Sequence, residues 1–535
     1  MSVALGPVAQ LKLLRRLVRD LDPFFTTTVS AATAAARLKA NLASREERFL
    51  GLAERAVFGR PESPYARLFD HVGVDLDELR ALIRRDGLEG ALAQLAEAGV
   101  HLRLDEFKGR RPIRRGSLEI PSATRLFDNP LGAKHIQVQS GGSRSTGTRV
   151  YVDLHQYAND AEYEALFWAA ADLHGRPLAL WRPAPPFSAG LSICMRHSRI
   201  GQTPRQWFAQ SVPPLDRSGW RHRLVLELLL AASRWHGRPL PRPQHTPTDA
   251  ADRVAKWLAT AKREGRLPIL NTPASGGVRV AIAARELGLD IAGTLFVLGG
   301  EPLTDARRRM MSDVGCTAVA HYSMGEVGRI GKRCRDGSEA DDVHLLQDKI
   351  AMVRRPHTMP DGTVIQANYY TTLSSATAKL LINVESGDHT VMEQRTCDCP
   401  FGRVGLNTHL HTIRSYEKLT SEGMNFLGSD LLRLIDEVLP GRFGGAPTDY
   451  QFVEREDGQG LPKVDLRVSP KIALGDETEA RDLVLAALNG GQGHGYGDRW
   501  REAGTLTIVR GEPLATGAAK ILALHSLRKA PERQA

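Results

Sequence analysis

The sequence predicts an α/β protein with a large multi-sheet body, a helical N-terminal extension and a small α+β domain at the C-terminal end. Three observations lead there. Residues 1–100 place apolar side chains at helical spacing. From Ile136 onward, short apolar runs end in Gly-rich turns and lead into helical stretches, as in α/β architectures. After about Arg414 the order becomes strand, strand, helix, strand.

Taken in order, 8–21 and 76–100 carry apolar residues three and four apart, the period of one helix face. Residues 101–130 are basic and irregular. The runs 135–139 and 149–154 are strand-like and flank a Gly/Ser/Thr loop. The segments 293–302 and 379–388 read as strands running into Gly turns. Strands are expected at 450–456, 463–470 and 505–513, and a helix at 477–489. The expected division is 1–120 (helical), 121–414 (the body) and 415–535 (a mobile C-terminal module). The 535 residues allow that many domains. The tail 526–535 is expected to fray.

Hydrophobic residues at 42% and charged residues at 25% exclude a wholly disordered, collagenous or coiled-coil chain. The net charge of +10 raises the question of a polyanionic partner. It is concentrated between Trp181 and His245, which hold ten Arg, no Lys and only the acids Asp216 and Glu227. Four Trp lie in the same segment; Trp207, Trp220 and Trp235 could line an acyl pocket, but their helix spacing favours the core. Arg with interleaved aromatics can bind single-stranded nucleic acid, but no nucleic-acid motif accompanies it and nine Pro argue against a regular binding helix. An anionic small molecule or an acidic protein surface fits better, with Arg196, Arg199 and Arg205 facing it. Five Cys are too few for a disulfide scaffold. Without a signal peptide pattern or an apolar run of spanning length, a cytoplasmic protein is expected.

Five motifs can carry chemistry. In Ser140–Thr148, Gly frees the backbone to wrap an anion, and hydroxyls and N–H groups can bond phosphate; the composition also suits a polar hairpin. Gly299-Gly-Glu-Pro-Leu-Thr304 follows an apolar strand, and strand ends are where α/β sheets bind ligands. It would equally serve as a capped strand-to-helix turn. His321-Tyr-Ser-Met-Gly-Glu326 offers an aromatic face and a carboxylate able to hold Mg²⁺, or is a surface turn. Glu385-Ser-Gly-Asp388 offers an acceptor for ribose hydroxyls, or is an Asx-type turn. Lys520 follows a Gly-containing turn and can neutralise phosphate charge, or lie solvated.

The order of these motifs, with Arg414 between the fourth and fifth, resembles the adenylate-forming superfamily of acyl-CoA synthetases over residues 125–525. Asn271-Thr-Pro-Ala-Ser275 and the stretch Cys397–Arg403 are most similar to the phenylacetate–CoA ligase branch, with its coenzyme F390 synthetase relatives. The resemblance implies a large adenylation (AMP-binding) body. Ser143, Ser145, Thr146 and Gly147 would hold ATP phosphates. Gly300, Glu301 and Pro302 would line the adenine and acyl pockets, and Tyr322 would stack on adenine. Glu326 would bind Mg²⁺, Asp388 and Arg414 would hold the ribose, and Lys520 would reach the carboxylate and α-phosphate. The implied reaction is ATP-dependent activation of a carboxylic acid as an acyl-adenylate, then transfer to a thiol, CoA first. A carrier-protein thiol or an amine is the alternative acceptor. Arg144 and Tyr416 depart from the family pattern, which has Gly and often Asp there. A homodimer is compatible with this reading.

Cys334, His344, Cys397 and Cys399 offer sulfur and imidazole donors suited to Zn²⁺, or are scattered buried thiols. The resembled branch has a similar Cys/His set, which implies a structural zinc. Cys194 and Cys316 are expected to be inert core thiols. His321 is expected either to contact a ligand or to be a buried, hydrogen-bonded residue.

Overall fold

The computed structural model describes residues 7–139, 149–213, 219–247, 249–301, 303–337, 339–358, 364–415, 420–421, 424–425, 432–456, 462–489, 500–501, 504–515, 521 and 523–526. The chain is α/β, as its patterning predicts. The element that positions the site is a six-stranded parallel sheet. Its strands Leu178–Trp181, Ile269–Thr272 and Leu295–Leu298 are buried at every position. Helices cover both faces of such a sheet, so central strands read as continuous apolar runs.

Strand Leu178–Trp181 pairs with Gln206–Ala209 on one side and Ile269–Thr272 on the other, all parallel. The chain builds outward through Gln206–Ala209 to Gln244–His245. It then returns to build the other way through Ile269–Thr272, Leu295–Leu298 and Thr317–Ala320. The order therefore reverses between Leu178–Trp181 and Ile269–Thr272. The carboxyl ends of strands at such a switch point leave a crevice.

A seven-stranded sheet continues from the last parallel strand: Ala320 leads through His321 into Tyr322–Met324. Its long strands Ile350–Thr358, Val364–Thr372 and Val384–Gln394 are antiparallel. The expected strand at 379–388 begins later, at Val384. Asn383 takes φ 47°, which ends the extended run. Its side-chain amide donates to the carbonyls of Leu92 and Val100, tying the sheet to the N-terminal helices.

Those helices begin as their caps dictate. Ser30 and Thr33 form a reciprocal cap for Ala31–Ala43, and the Asp75 carboxylate accepts from Glu78 N–H at 2.8 Å to start Leu76–Ala98. Gly99 ends that helix in the left-handed region. Leu17, Leu21, Phe25 and Leu38 pack into the core around the parallel sheet, whereas Phe49, Leu68, Leu79 and Leu92 pack into the core of the antiparallel one. Of the three Trp expected in the core, only Trp207 is buried. Trp220 and Trp235 are exposed, because the helix Trp220–Trp235 turns its Leu226, Leu229 and Leu230 inward instead.

Beyond residue 432, a four-stranded sheet combines the hairpin Tyr450–Glu456 and Pro462–Val468 with Leu506–Arg510 and Leu524–Ser526. The helix Glu477–Asn489 supplies Val484, Leu485 and Leu488 to its core. No helix among the described residues is long and apolar enough to cross a membrane.

Candidate active site at the switch point

A cavity of about 170 Å³ lies at the switch point. Its wall comes from the strand ends (Arg182, Asn271, Leu298–Gly300), from the turn Ser323–Gly325 and from the helix Ala189–Arg199. Gly300 adopts φ 85°, so the strand end can turn here only with a residue that tolerates the left-handed region. Glu301, next in the chain, does not line the cavity. Its carboxylate accepts from Ser275 N–H at 2.7 Å and Ser275 Oγ at 2.9 Å, capping the helix Ala274–Glu286.

Tyr322 and Asp388 come together: the phenol donates to Asp388 Oδ2 at 2.7 Å, with Tyr370 Oη 3.4 Å from the phenol. Burial, then the Asp388 charge, raise the Tyr322 phenol well above its ordinary value, so it stays a donor. Arg414 lies on the strand beside Asp388, but its guanidinium bonds Asp341 Oδ2 at 2.9 Å. Glu326 is buried and ion-paired with Lys108 at 2.6 Å. Burial opposes its ionisation, but Lys108 outweighs it and holds the carboxyl below the usual range. With that cation seated on it, Glu326 does not fit a Mg²⁺ ligand in this arrangement. Gly300 lines the cavity; Ser143, Ser145, Thr146, Gly147, Pro302, Lys520, Arg144 and Tyr416 lie outside the described residues.

Beneath the cavity is a set of buried charges that the motifs do not reveal. Gln156, Asp160 and Glu164 recur every fourth residue on the helix Leu154–Ala170 and are all buried. Glu164 receives Lys332 at 2.5 Å, Arg329 at 3.0 Å and Arg196 at 3.4 Å. Burial resists its ionisation, but Lys332 and Arg329 prevail and hold it well below the usual range. Burial lowers Lys332 to about 7. His321 contacts Lys332 through Nε2 at 3.2 Å and is wholly buried, the second of the two expectations for it.

The anion-facing surface expected of Arg196 and Arg199 is corrected here. Both are buried. Arg199 donates to the carbonyls of Pro23 and Phe24, and Arg196 lines the cavity. Arg205 is exposed. Burial raises the Cys194 thiol, and raises that of Cys316 to about 11, so neither is nucleophilic near neutrality.

Three cysteines converge just past the strands Gly328–Arg333 and Val384–Gln394. Cys334 Sγ and Cys397 Sγ are 3.8 Å apart, and His344 Nε2 lies 3.5 Å from Cys397 and 3.0 Å from Cys399. The structure adds a donor that the sequence reading missed, because Cys334, His344, Cys397 and His409 bring ligand atoms within 4.8 Å of one another. His344 Nδ1 faces Leu406 O at 2.6 Å and His409 Nδ1 faces Asp342 at 3.0 Å. The His344 Nε2 is thereby left as an acceptor, whereas His409 Nδ1 also has Arg395 Nη2 at 2.9 Å. His409 Nε2 is buried with no hydrogen-bond partner among the described residues, which fits a metal ligand. The group can hold a metal ion.

The sequence carried a trace of these omissions. The Arg-rich, Lys-free segment pointed at Arg182 and Arg196, and His409 follows the Cys stretch by ten residues. Lys108 belongs to the basic segment 101–130, but nothing local marks Asp160, Glu164 or Arg329.

No family model and no curated protein matches the chain. Among solved structures it is similar to a 2-hydroxyisobutyryl-CoA ligase in complex with 2-HIB-AMP and CoA, at 15% identity over 95% of this chain and 92% of that one, with a TM-score of 0.47. It is also similar to an amide bond synthetase from Marinactinospora thermotolerans, at 12% identity over 92% and 98%, with a TM-score of 0.43. A third is an O-succinylbenzoate coenzyme A synthetase from Bacillus subtilis with ATP and magnesium, at 12% identity over 74% and 70%, with a TM-score of 0.41.

Proposed function

We propose that the chain activates a carboxylic acid with ATP. A carboxylate oxygen attacks the α-phosphorus, an O–P bond forms, the bond to the β-phosphate breaks and pyrophosphate leaves. A thiol then attacks the acyl carbon, the C–S bond forms and AMP leaves. CoA is the first acceptor to test, with a carrier-protein thiol or an amine as the alternative. The observation that carries this reading is the Tyr322–Asp388 hydrogen bond, made by motifs 66 residues apart beside a cavity that Gly300 lines at the switch point. An aromatic face and a ribose acceptor are what a nucleotide needs there.

In this reading Tyr322 stacks on adenine, while Asp388, with Arg414 beside it, holds the ribose. The loop with Ser143, Ser145, Thr146 and Gly147 and the side chain of Lys520 meet the phosphates. Catalysis is positioning plus charge neutralisation. Mg²⁺ belongs to the reading as a companion of ATP, with no protein ligand assigned to it. The test is ATP–pyrophosphate exchange across a panel of carboxylic acids. Exchange with at least one acid, suppressed in Lys520→Ala, is expected. Silence with every acid overturns the reading, and undiminished exchange in Lys520→Ala removes the lysine from it.

We also propose that the Cys/His group holds a structural zinc. The separations of 3.8 and 3.5 Å resemble the edges of a tetrahedron built on Zn–S of ~2.3 Å and Zn–N of ~2.0 Å. Cys334, His344 and Cys397 are three ligands. The fourth is Cys399, close to His344, or His409, whose Nε2 is otherwise orphaned. Four protein ligands leave no open position, so such a zinc ties the 334 loop to the segment around 397–409 and takes no part in the reaction.

A further inference from the structure

The cavity holds more positive charge than its surroundings balance. Arg182, Arg196 and Arg329 all line it, and all are buried. The Arg182 guanidinium donates to Asn271 Oδ1 at 2.9 Å, Gly299 O at 2.9 Å and Thr272 O at 2.6 Å, all uncharged acceptors. Among the described residues no carboxylate lies within ion-pairing distance of it. Glu301, the acid acting on it, is engaged with Ser275. Arg196 reaches one acid among the described residues, Glu164, through its buried Nε at 3.4 Å, without the geometry of a hydrogen bond. Arg329 shares that same Glu164, and its Nε has no hydrogen-bond partner among the described residues. Glu164 must also serve Lys332, and Asp160, which lines the cavity, is taken by Lys349 at 2.5 Å.

Burying a cation without a counter-ion is costly, and here the guanidiniums also repel one another. Burial, with Arg329 and Arg196 nearby, lowers Arg182 to about 9. An anion entering the cavity would relieve that cost, and the planar forks of Arg suit a carboxylate. The acid's reacting carboxylate must stay with the phosphates, so it is not free to neutralise this wall. We propose that the cavity selects an acid bearing a second anionic group, a dicarboxylate or its equivalent, and that Arg182, Arg196 and Arg329 receive that second group. This rests on the adenylation reading and narrows its substrate class.

Matched pairs that differ in one charge test it: adipate against hexanoate, and terephthalate against 4-methylbenzoate. Binding is measured by calorimetry on the intact protein, alongside pyrophosphate exchange. The dianion of each pair is expected to bind, and to support exchange, at least tenfold better. Arg196→Gln should bring the ratio close to one, by weakening the dianion at least tenfold more than the monoanion. Where that variant folds poorly, Arg329→Lys and the wild-type ratios decide. AMP alone is the third arm. If Arg196→Gln weakens AMP binding and leaves the adipate-to-hexanoate ratio untouched, the cations hold nucleotide phosphate and the proposal falls. Equal binding of both members of each pair also sinks it. Silent exchange with every acid, beside a tenfold binding preference for adipate, overturns adenylation but upholds the anion cavity.

Discussion

The ammonium of Lys108 lies 2.6 Å from Oε1 of Glu326, joining residues 218 apart in the chain. Lys379 adds to its hold on the same carboxylate. The pair locks the irregular basic segment after the N-terminal helices onto the turn that follows Tyr322. Lys108→Met leaves a buried carboxylate with one cation fewer and is expected to cost about 3 kcal/mol. Adding Glu326→Gln in the same chain should recover most of that. Urea unfolding of the single and double variants checks it, and strictly additive losses would show that the two side chains do not support each other.

The Tyr322–Asp388 hydrogen bond gives a kinetic expectation. Tyr322→Phe keeps the ring for stacking but removes the donor to Asp388. A hydrogen bond to a charged group is worth ~1.5 kcal/mol or more, so the KM for ATP is expected to rise about tenfold with little change in fold. An unchanged KM would separate this pair from the nucleotide.

Asp348 predicts a pH dependence. It is buried, accepts the Tyr163 hydroxyl at 2.8 Å through Oδ2, and its Oδ1 has no hydrogen-bond partner among the described residues. Burial raises its carboxyl to about 6, against the favourable contacts of Tyr163, Arg48 and Lys349. The folded chain therefore holds this proton more tightly than the unfolded one. The resulting stability is complete below about pH 4 and is lost as pH rises through about 6. The loss is on the order of 3 kcal/mol. Asp348→Asn should remove this dependence, so the gap between variant and wild type grows between pH 4 and 7. Parallel urea midpoints across that range would refute it.

The metal proposal makes a compositional claim. Elemental analysis is expected to find about one zinc per chain, absent from Cys397→Ser. Cys399→Ser and His409→Ala separate the two candidates for the fourth ligand: the true ligand's variant loses zinc at a lower chelator concentration than the other. A metal-free wild type that unfolds at the same temperature with and without chelator ends the proposal.

Much of the fold was legible because burial leaves a periodic trace. The runs at 295–298 and 178–181 are apolar at every position because helices cover both faces of the parallel sheet. In the C-terminal module the hairpin sends Phe452, Val464, Leu466 and Val468, and the helix Val484, Leu485 and Leu488, into one core. The late start of Val384–Gln394 was not legible. It depends on Asn383 finding carbonyls on a helix almost three hundred residues earlier, and no local window contains them.

The same division holds for the site. The sequence by itself determined the motif residues and their order, because a Gly-permitted turn or a Cys-x-Cys stretch is encoded within a few positions. It also showed that the positive charge is concentrated between Trp181 and His245. Tertiary structure alone decided what that charge does. Charge counts ignore burial, and the fold carries Arg182 and Arg196 inside while leaving Arg205 on the surface. It also brings Arg329, Asp160 and Glu164 in from distant segments. Whether a guanidinium is neutralised, orphaned or solvated depends on acids that the chain brings within a few ångströms only after folding.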